Sequence, residues 1–441
     1  MLNKRNIIFS YGFFLVWLTG FLYNGPLLRF AVDSKLSSEL SITYILVPAI
    51  VSLLFCFKSK ETFDEIRNMK VGILISGLFT GIMFLPCINN CKVLMYICAG
   101  ILGVSSIGFI SGWGAVFVKH LKLKDMIKVM ALTICLGKGI LSLNKILGAL
   151  NQIYLMKFII ILSLIISYVY TTKIKNKENE DAYKKIDNYN KSFFILIVTM
   201  FLINISGGYI LGVIFANMNY HIVNYFLDLI MYIGIFFILL KVNKKVINNN
   251  TISIALMIIG IGMVLFIVQN EVTSVIAYFF ESFGFLLLDI IIWGSVGKLG
   301  YMTKRPFKIF FGCMGINLLG VFVGNLLFII TSDLKIGIVI CSISIFVSFM
   351  ISQVFISEKE KIENEFNALN YYIPNVGLDS LTDREREIVV LMCQKYKNAD
   401  IANKLYISEN TLKTHARKIY SKYNVKNKRE LIELNEKFVK K

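Results

Sequence analysis

Apolar runs of about 17–25 residues recur along this chain, and they constrain its fold more than any other feature. That is the length about 30 Å of hydrocarbon demands of a helix rising 1.5 Å per residue. Inside hydrocarbon, only helices and closed barrels satisfy their own backbone polar groups. Twelve runs stand at roughly 7–25, 41–57, 71–88, 93–117, 126–147, 153–172, 192–215, 222–240, 251–268, 272–297, 308–330 and 336–356, and after Phe355 they stop. Composition agrees: 56% of residues are hydrophobic and 17% charged, against roughly 45–50% and 25% in soluble domains. The first run follows Lys4 and Arg5 without a small-x-small cleavage site and reads as a retained span. The expected class is all-α: a polytopic transmembrane helix bundle with a polar C-terminal domain.

The connections test this count. Alternate loops carry Lys4 and Arg5; Lys58, Lys60, Arg67 and Lys70; Lys119, Lys122, Lys124 and Lys128; Lys173 to Lys191; Lys241, Lys244 and Lys245; and Lys298, Lys304, Arg305 and Lys308. The opposite loops hold little beyond Arg29, Lys35, Lys92 and Lys335. A bias of about five to one, alternating loop by loop, places both termini on the cytoplasmic side of the cell membrane. The same bias explains much of the net charge of +19, which by itself is weak evidence for a nucleic-acid partner.

The long charged loop from Lys173 to Asn190 divides the runs six and six. This resembles the major facilitator layout, in which two six-helix halves are joined by a charged cytoplasmic loop. The segment Lys58-Ser-Lys-Glu-Thr-Phe-Asp-Glu-Ile-Arg-Asn-Met-Lys70 stands where that family has G-x-x-x-D-R-x-G-R-R; it keeps basic charge and Asp64 but loses the glycines. Residues 1–356 are thus expected to form a twelve-span, major-facilitator-like domain in the lipid bilayer.

Residues 357–377 turn polar, with Glu358, Lys359, Glu360, Lys361, Glu363 and Glu365 first and Pro374 and Gly377 later. They read as a cytoplasmic linker. Ile362, Phe366, Leu369 and Ile373 have helical spacing, as an amphipathic extension of the last span or as a coiled coil shorter than two heptads.

Residues 378–441 pattern differently. Leu381-Thr-Asp-Arg-Glu-Arg-Glu387 opens a helix through a T-x-x-E capping box, Thr382 with Glu385. A short helix over about 398–405 buries Ile401, Ala402 and Leu405. Ser408 caps a third, Glu409 to Tyr423, with Leu412, Ala416 and Ile419 inward and Lys413, Thr414, Arg417 and Lys418 outward. A fourth starts near Lys428. A basic helix of this size fits the major groove of double-stranded DNA.

These residues closely resemble the LuxR-type helix-turn-helix. The family has E-I-A where this chain has Asp400-Ile-Ala402, T-V-K-x-H where it has Thr411-Leu-Lys-Thr-His415, and K-L-G-V where it has Lys422-Tyr-Asn-Val425; Lys395 replaces the glycine that usually ends the first helix. The resemblance implies a four-helix domain that dimerises on DNA. It implies base contacts by Lys413, Thr414 and Arg417, and phosphate contacts by Thr411, Lys418, Lys422 and Lys428. The last three also read as a plain solvated face. Glu409 and Asn410, at the helix start, suit base edges or the helix dipole.

Ionisable groups inside spans are costly and mark function by default. Lys138, Asp228, Glu281 and Asp289 lie in the fifth, eighth and tenth runs. Counted from the outer face, the first three sit at about 10–15 Å depth, so Lys138 is expected to pair with Glu281 or Asp228. The major facilitator resemblance puts these spans around a central cavity that would hold a small-molecule ligand; a structural ion pair is the other reading. Lys145 and Lys157, near run ends, can snorkel and take no role. Tyr11, Trp17, Tyr209 and Trp293 suit either cavity lining or packing. The eight cysteines read mostly as small buried apolar residues, a disulfide between Cys87 and Cys91 across one short outer loop being the minor alternative. No cofactor or metal is called for, because the cysteines form no metal spacing and His120, His221 and His415 are far apart. With no nucleophile elbow or P-loop either, an enzyme is not expected.

The function implied is a membrane-tethered one-component transcription regulator that senses a small molecule or a membrane state. The rival is a secondary transporter with an attached regulatory domain.

Overall fold

The computed structural model describes residues 2–21, 34–58, 64–85, 91–175, 185–186, 189–217, 222–241, 251–268, 270–331, 334–370, 381–393 and 396–439. Among them every regular element is a helix. The chain divides into two units, residues 1–179 with 190–356, and residues 180–189 with 357–441.

The first unit contains α1 (Leu2–Gly20), α2 (Ser34–Lys58), α3 (Glu65–Met83), α4 (Lys92–His120), α5 (Leu123–Ala149), α6 (Ile153–Thr172), α7 (Asn190–Asn217), α8 (Ile222–Lys241), α9 (Thr251–Phe266), α10 (Glu271–Thr303) and α11 (Pro306–Ile330). It also holds the first part of α12 (Leu334–Asn370). Ten helices among the described residues are long and apolar enough to cross a membrane, so this is a multi-pass membrane protein. Thr251–Phe266 is apolar but shorter. α1 stands outside the ten, its first turns taken by Asn3, Lys4, Arg5 and Asn6. Two helices outrun their apolar segments: α10 reaches Thr303, and α12 continues through the charged stretch to Asn370 as an extension of the last run, with Ile362 and Phe366 buried.

Helix pairing follows from small residues and buried hydroxyls, the usual means of association where lipid is as apolar as leucine. α11 packs on α7 and on α2, α3 on α4, α9 on α10, α5 on α8, and α1 on α5 and α6. At α7 and α11 a Cβ on Gly208 would stand 2.2 Å from the Val321 carbonyl oxygen, and one on Gly324 would stand 2.1 Å from that of Ile205, so only glycine permits the approach. Between α1 and α6, Ser10 and Thr171 share a hydrogen bond of 2.7 Å, and Ser167 donates to the Ser10 carbonyl at 2.7 Å.

In the second unit, α13 (Asp383–Cys393), α14 (Asn398–Lys404), α15 (Glu409–Tyr423) and α16 (Lys428–Val439) enclose one small core. Ile388, Met392, Ile401, Leu412, Ile419 and Leu431 are at its centre. Lys395, Ile373, Pro374 and Gly377 lie outside the described residues. So does Cys87, while Cys91 is exposed.

Candidate nucleic-acid interface and membrane cavity

The second unit is built to hold α15. The capping box forms as its spacing requires: Thr382 N–H donates to Glu385 Oε2 at 2.9 Å, and Glu385 N–H to Thr382 Oγ1 at 3.3 Å. Ser408 caps α15, accepting from Thr411 N–H at 3.1 Å. Tyr406, in the turn before it, and Asn424, at its C-terminal cap, take left-handed backbone with φ of 51° each. Asparagine tolerates that conformation better than other side chains, which accounts for Asn424 where the related pattern has glycine.

On α15, Leu412, Ala416, Ile419 and Tyr423 are buried at helical spacing, and Thr411, Lys413, Thr414, Arg417 and Lys418 are exposed, as are Glu409 and Asn410. Thr414 Oγ1 donates to the Asn410 carbonyl at 3.1 Å, and Thr411 Oγ1 lies 2.8 Å from Ser408 Oγ. The other two proposed phosphate ligands are engaged within the unit. Lys422 Nζ stands 2.6 Å from the buried Glu385 carboxylate, tying α15 to α13. Burial would raise the Glu385 pKa, but the Lys422 ammonium and the Thr382 donors outweigh it and hold the carboxyl below its ordinary value. Lys428 donates to the Tyr396 carbonyl, and burial holds its ammonium below the usual range, with Asp400 acting the other way.

In the first unit a cavity of about 330 Å³ opens among α1, α2, α4, α5, α7, α8, α10 and α11. It gathers all four intramembrane candidates, Lys138, Asp228, Glu281 and Asp289. The expected pairing is corrected. Lys138 Nζ meets Asp289 Oδ2 at 2.7 Å, not Glu281 or Asp228. α10 has 33 residues, about 50 Å at 1.5 Å each, so depth counted from an apolar run errs by one or two turns. Asp228 accepts from Tyr278 Oη at 2.7 Å. Glu281, 2% exposed, has both carboxylate oxygens buried without a hydrogen-bond partner.

Tyr11 and Trp293 line the cavity, whereas Trp17 is spent on packing and donates to Thr80 Oγ1 at 2.8 Å, and Tyr209 is buried elsewhere. Lys157 Nζ rests 5.0 Å from the Phe84 ring centroid. Sequence reasoning missed Lys145, which is no snorkel: it lines the cavity with its Nζ 5.5 Å from the Tyr225 ring centroid. Lys138 and Lys145 are seven residues apart, and Tyr225, Asp228 and Tyr232 are spaced by three and four. Each spacing puts a set on one helix face, a signal that was available.

Comparison with known proteins bears on each unit separately. Residues 379–434 match the family described as bacterial regulatory proteins, luxR family. The Oxygen regulatory protein NreC of Staphylococcus carnosus is 36% identical over 74 residues, 15% of this chain and 34% of that protein. The Transcriptional regulatory protein DegU of Brevibacillus brevis is 39% identical over 75 residues, 17% of this chain and 30% of that protein. This chain spans about a third of the length of these curated relatives. A bacterial homologue of the iron transporter ferroportin, outward-facing, superposes with a TM-score of 0.55 at 12% identity over 81% of this chain and 98% of its own. The major facilitator superfamily transporter FucP, in the outward conformation, gives 0.56 at 10% identity over 80% and 98%. At such identities these neighbours establish the fold alone.

Proposed function

Because residues 379–434 are a LuxR-type helix-turn-helix domain on a multi-pass membrane chain with the fold of major facilitator transporters, we propose that the protein is a membrane-tethered one-component transcription regulator. The observation that carries this is the exposed basic face of α15 in a domain of that family. Lys413, Thr414 and Arg417 read bases from it. Thr411 and Lys418 contact phosphate, with Lys422 and Lys428 adding positive field from within their internal bonds. The tail dimerises on its operator. Residues 1–356 make twelve spans in two sets of six within the cell membrane, residues 357–377 link them to the DNA-binding domain at 378–441, and both termini are cytoplasmic, as the loop charges require. The cavity around Lys138, Asp228, Glu281 and Asp289 takes the small molecule that sets the response. The names of the relatives, each a regulatory protein, support the regulatory part of this reading.

Genome-wide mapping of DNA bound by the full-length chain in its host tests it. Discrete sites sharing one sequence, retained by the purified chain in a gel shift, are the expected result. Uniform or absent binding sinks the proposal.

A second reading is a secondary transporter with an attached regulatory domain, favoured by the neighbours' fold and by an ion pair lining the cavity. Time-dependent accumulation of a cavity ligand inside vesicles containing the protein would select it. Binding without accumulation selects the regulator.

A further inference from the structure

The charged groups around the cavity differ in what they can reach. Glu281 is closed off: both carboxylate oxygens are sealed, and Oε1 would stand 2.9 Å from a Cβ on Gly262 of α9, a helix that lends the cavity no residue. Lys138 and Asp289 spend their charges on each other at 2.7 Å. Asp228 accepts from Tyr278 with Oδ2, and its Oδ1 is sealed. Lys145 is different. It lines the cavity partly exposed, and its ammonium, unlike the Glu281 oxygens, is not sealed. Among the described residues Nζ makes no hydrogen bond and no ion pair; it lies over the Tyr225 ring, 5.5 Å from the centroid. Asp228 is within electrostatic range, yet neither of its oxygens accepts from Lys145.

An ammonium carries three N–H donors, and leaving them without acceptors in an apolar wall is costly. A ring face attracts the charge but supplies no oxygen. What Lys145 lacks is therefore an oxygen acceptor, and a carboxylate makes the strong, charge-assisted form of that bond. Position favours the same answer. Lys138 and Lys145 are seven residues apart on α5, about 10.5 Å along the helix, so an anion on Lys145 stands clear of the Asp289 carboxylate closed on Lys138. An organic cation in that place would face the ammonium, while Asp228 has one oxygen sealed and the other held by Tyr278. Leu18, Leu141, Tyr232 and Phe285 give the rest of the lining an apolar surface.

We propose that the cavity binds an organic monoanion, a carboxylate on an apolar body, with the Lys145 ammonium as its counter-ion and the leucines and aromatic rings as its walls. This rests on the reading of the cavity as a ligand site and names the class of ligand. At about 330 Å³ the space is at the small end of ligand pockets, which run from roughly 300 to 1,000 Å³, so it suits a carboxylate with one aryl or alkyl body.

The test uses the full chain in nanodiscs and three probes of similar shape, 5-phenylpentanoate, its neutral amide 5-phenylpentanamide, and 4-phenylbutylammonium, titrated calorimetrically with empty nanodiscs subtracted. The carboxylate is expected to bind saturably and at least about tenfold more tightly than the amide or the ammonium, the usual worth of one charge-assisted hydrogen bond. Lys145→Met is expected to remove about tenfold or more of the carboxylate affinity and little of the amide affinity, and Lys145→Arg to retain most of both. The proposal is overturned if the amide or the ammonium binds as well as the carboxylate, if the carboxylate does not saturate, or if Lys145→Met binds it like the parent chain. The comparison of probes on the parent chain decides the matter even where a variant fails to fold. The same parent preparation is tested for retention of mapped operator DNA. Intact retention without carboxylate binding overturns the ligand class alone, and loss of retention overturns the regulator reading itself.

Discussion

Arg417 and Lys418 are adjacent and both exposed, yet a helix turns about 100° between them, so in the proposed complex they would address different parts of a duplex. Arg417 shares its face with Lys413 and Thr414, four and three residues earlier. Arg417→Ala is therefore expected to cost about 1–3 kcal/mol on operator DNA and little on scrambled DNA. Lys418→Ala should weaken both alike and reduce the slope of log affinity against log salt by about 1. Anisotropy titrations of both duplexes at several salt concentrations distinguish the two; identical losses on both duplexes would mean that α15 is turned otherwise. Lys422, one turn further on, answers to folding instead. Its partner Glu385 is depressed below the ordinary glutamate range, so the pair's contribution is complete above that range and fades as pH falls through the lowered value. Lys422→Met should cost about 2–3 kcal/mol at neutral pH, less than a fully buried pair because Lys422 is one-third exposed. It should also erase most of the acid dependence in this part of the domain. Hydrogen exchange of α13 and α15 amides in the intact chain, corrected for intrinsic rates at each pH, reads both effects. Unchanged protection would show the pair to be idle.

At the scale of elements, the tail was legible almost residue by residue, because caps and helical periodicity are local properties. Thr382 with Glu385, Ser408, and the inward set Leu412, Ala416 and Ile419 stand as their spacing dictates. The membrane helices were legible in kind and less so in detail. An apolar run reports what lipid requires but not where a helix stops, and α10 and α12 continue well past theirs. Depth errors of that size gave Lys138 the wrong partner and left Lys145 without a role. The α7–α11 contact was written in the sequence, in Gly208 and Gly212 and in Gly320 and Gly324, each pair at small-xxx-small spacing. Gly324→Ala sets a Cβ 2.1 Å from a carbonyl oxygen that cannot yield without moving α7, so the cost should reach or exceed the 1–3 kcal/mol or so of ordinary overpacking. Gly234 on α8 has nothing within 4 Å of its Cβ position, and Gly234→Ala should be neutral or stabilise by under about 1 kcal/mol. Melting of each variant in detergent, followed by its monodisperse peak, checks the contrast. Equal Tm values would show that α7 and α11 do not depend on this approach.

At the scale of the whole molecule, the regulator reading depends on one physical condition, that the helix-turn-helix shares a compartment with DNA. Loop charge supports the condition. Lys4 and Arg5, the clusters around Lys58, Lys119, Lys173, Lys241 and Lys298, and the basic tail belong on one side if the spans alternate. The proposed function thus requires an even number of crossings between Lys4 and Ser357, whether or not α1 and α9 cross as fully as the ten longer helices. The chain carries its own reporter for the opposite side in Cys91, exposed at the start of α4, while the other cysteines among the described residues are buried. In a variant that keeps Cys91 alone, an impermeant maleimide should label intact cells. A single cysteine added after Lys441, or placed in the 173–191 loop of a chain without Cys91, should stay unlabelled until the membrane is opened. Detergent then serves as the control, since it must expose all three positions. Labelling of the C-terminal cysteine in intact cells would put the DNA-binding helices outside the cell, and no arrangement of the cavity or of α15 could then rescue a role in transcription.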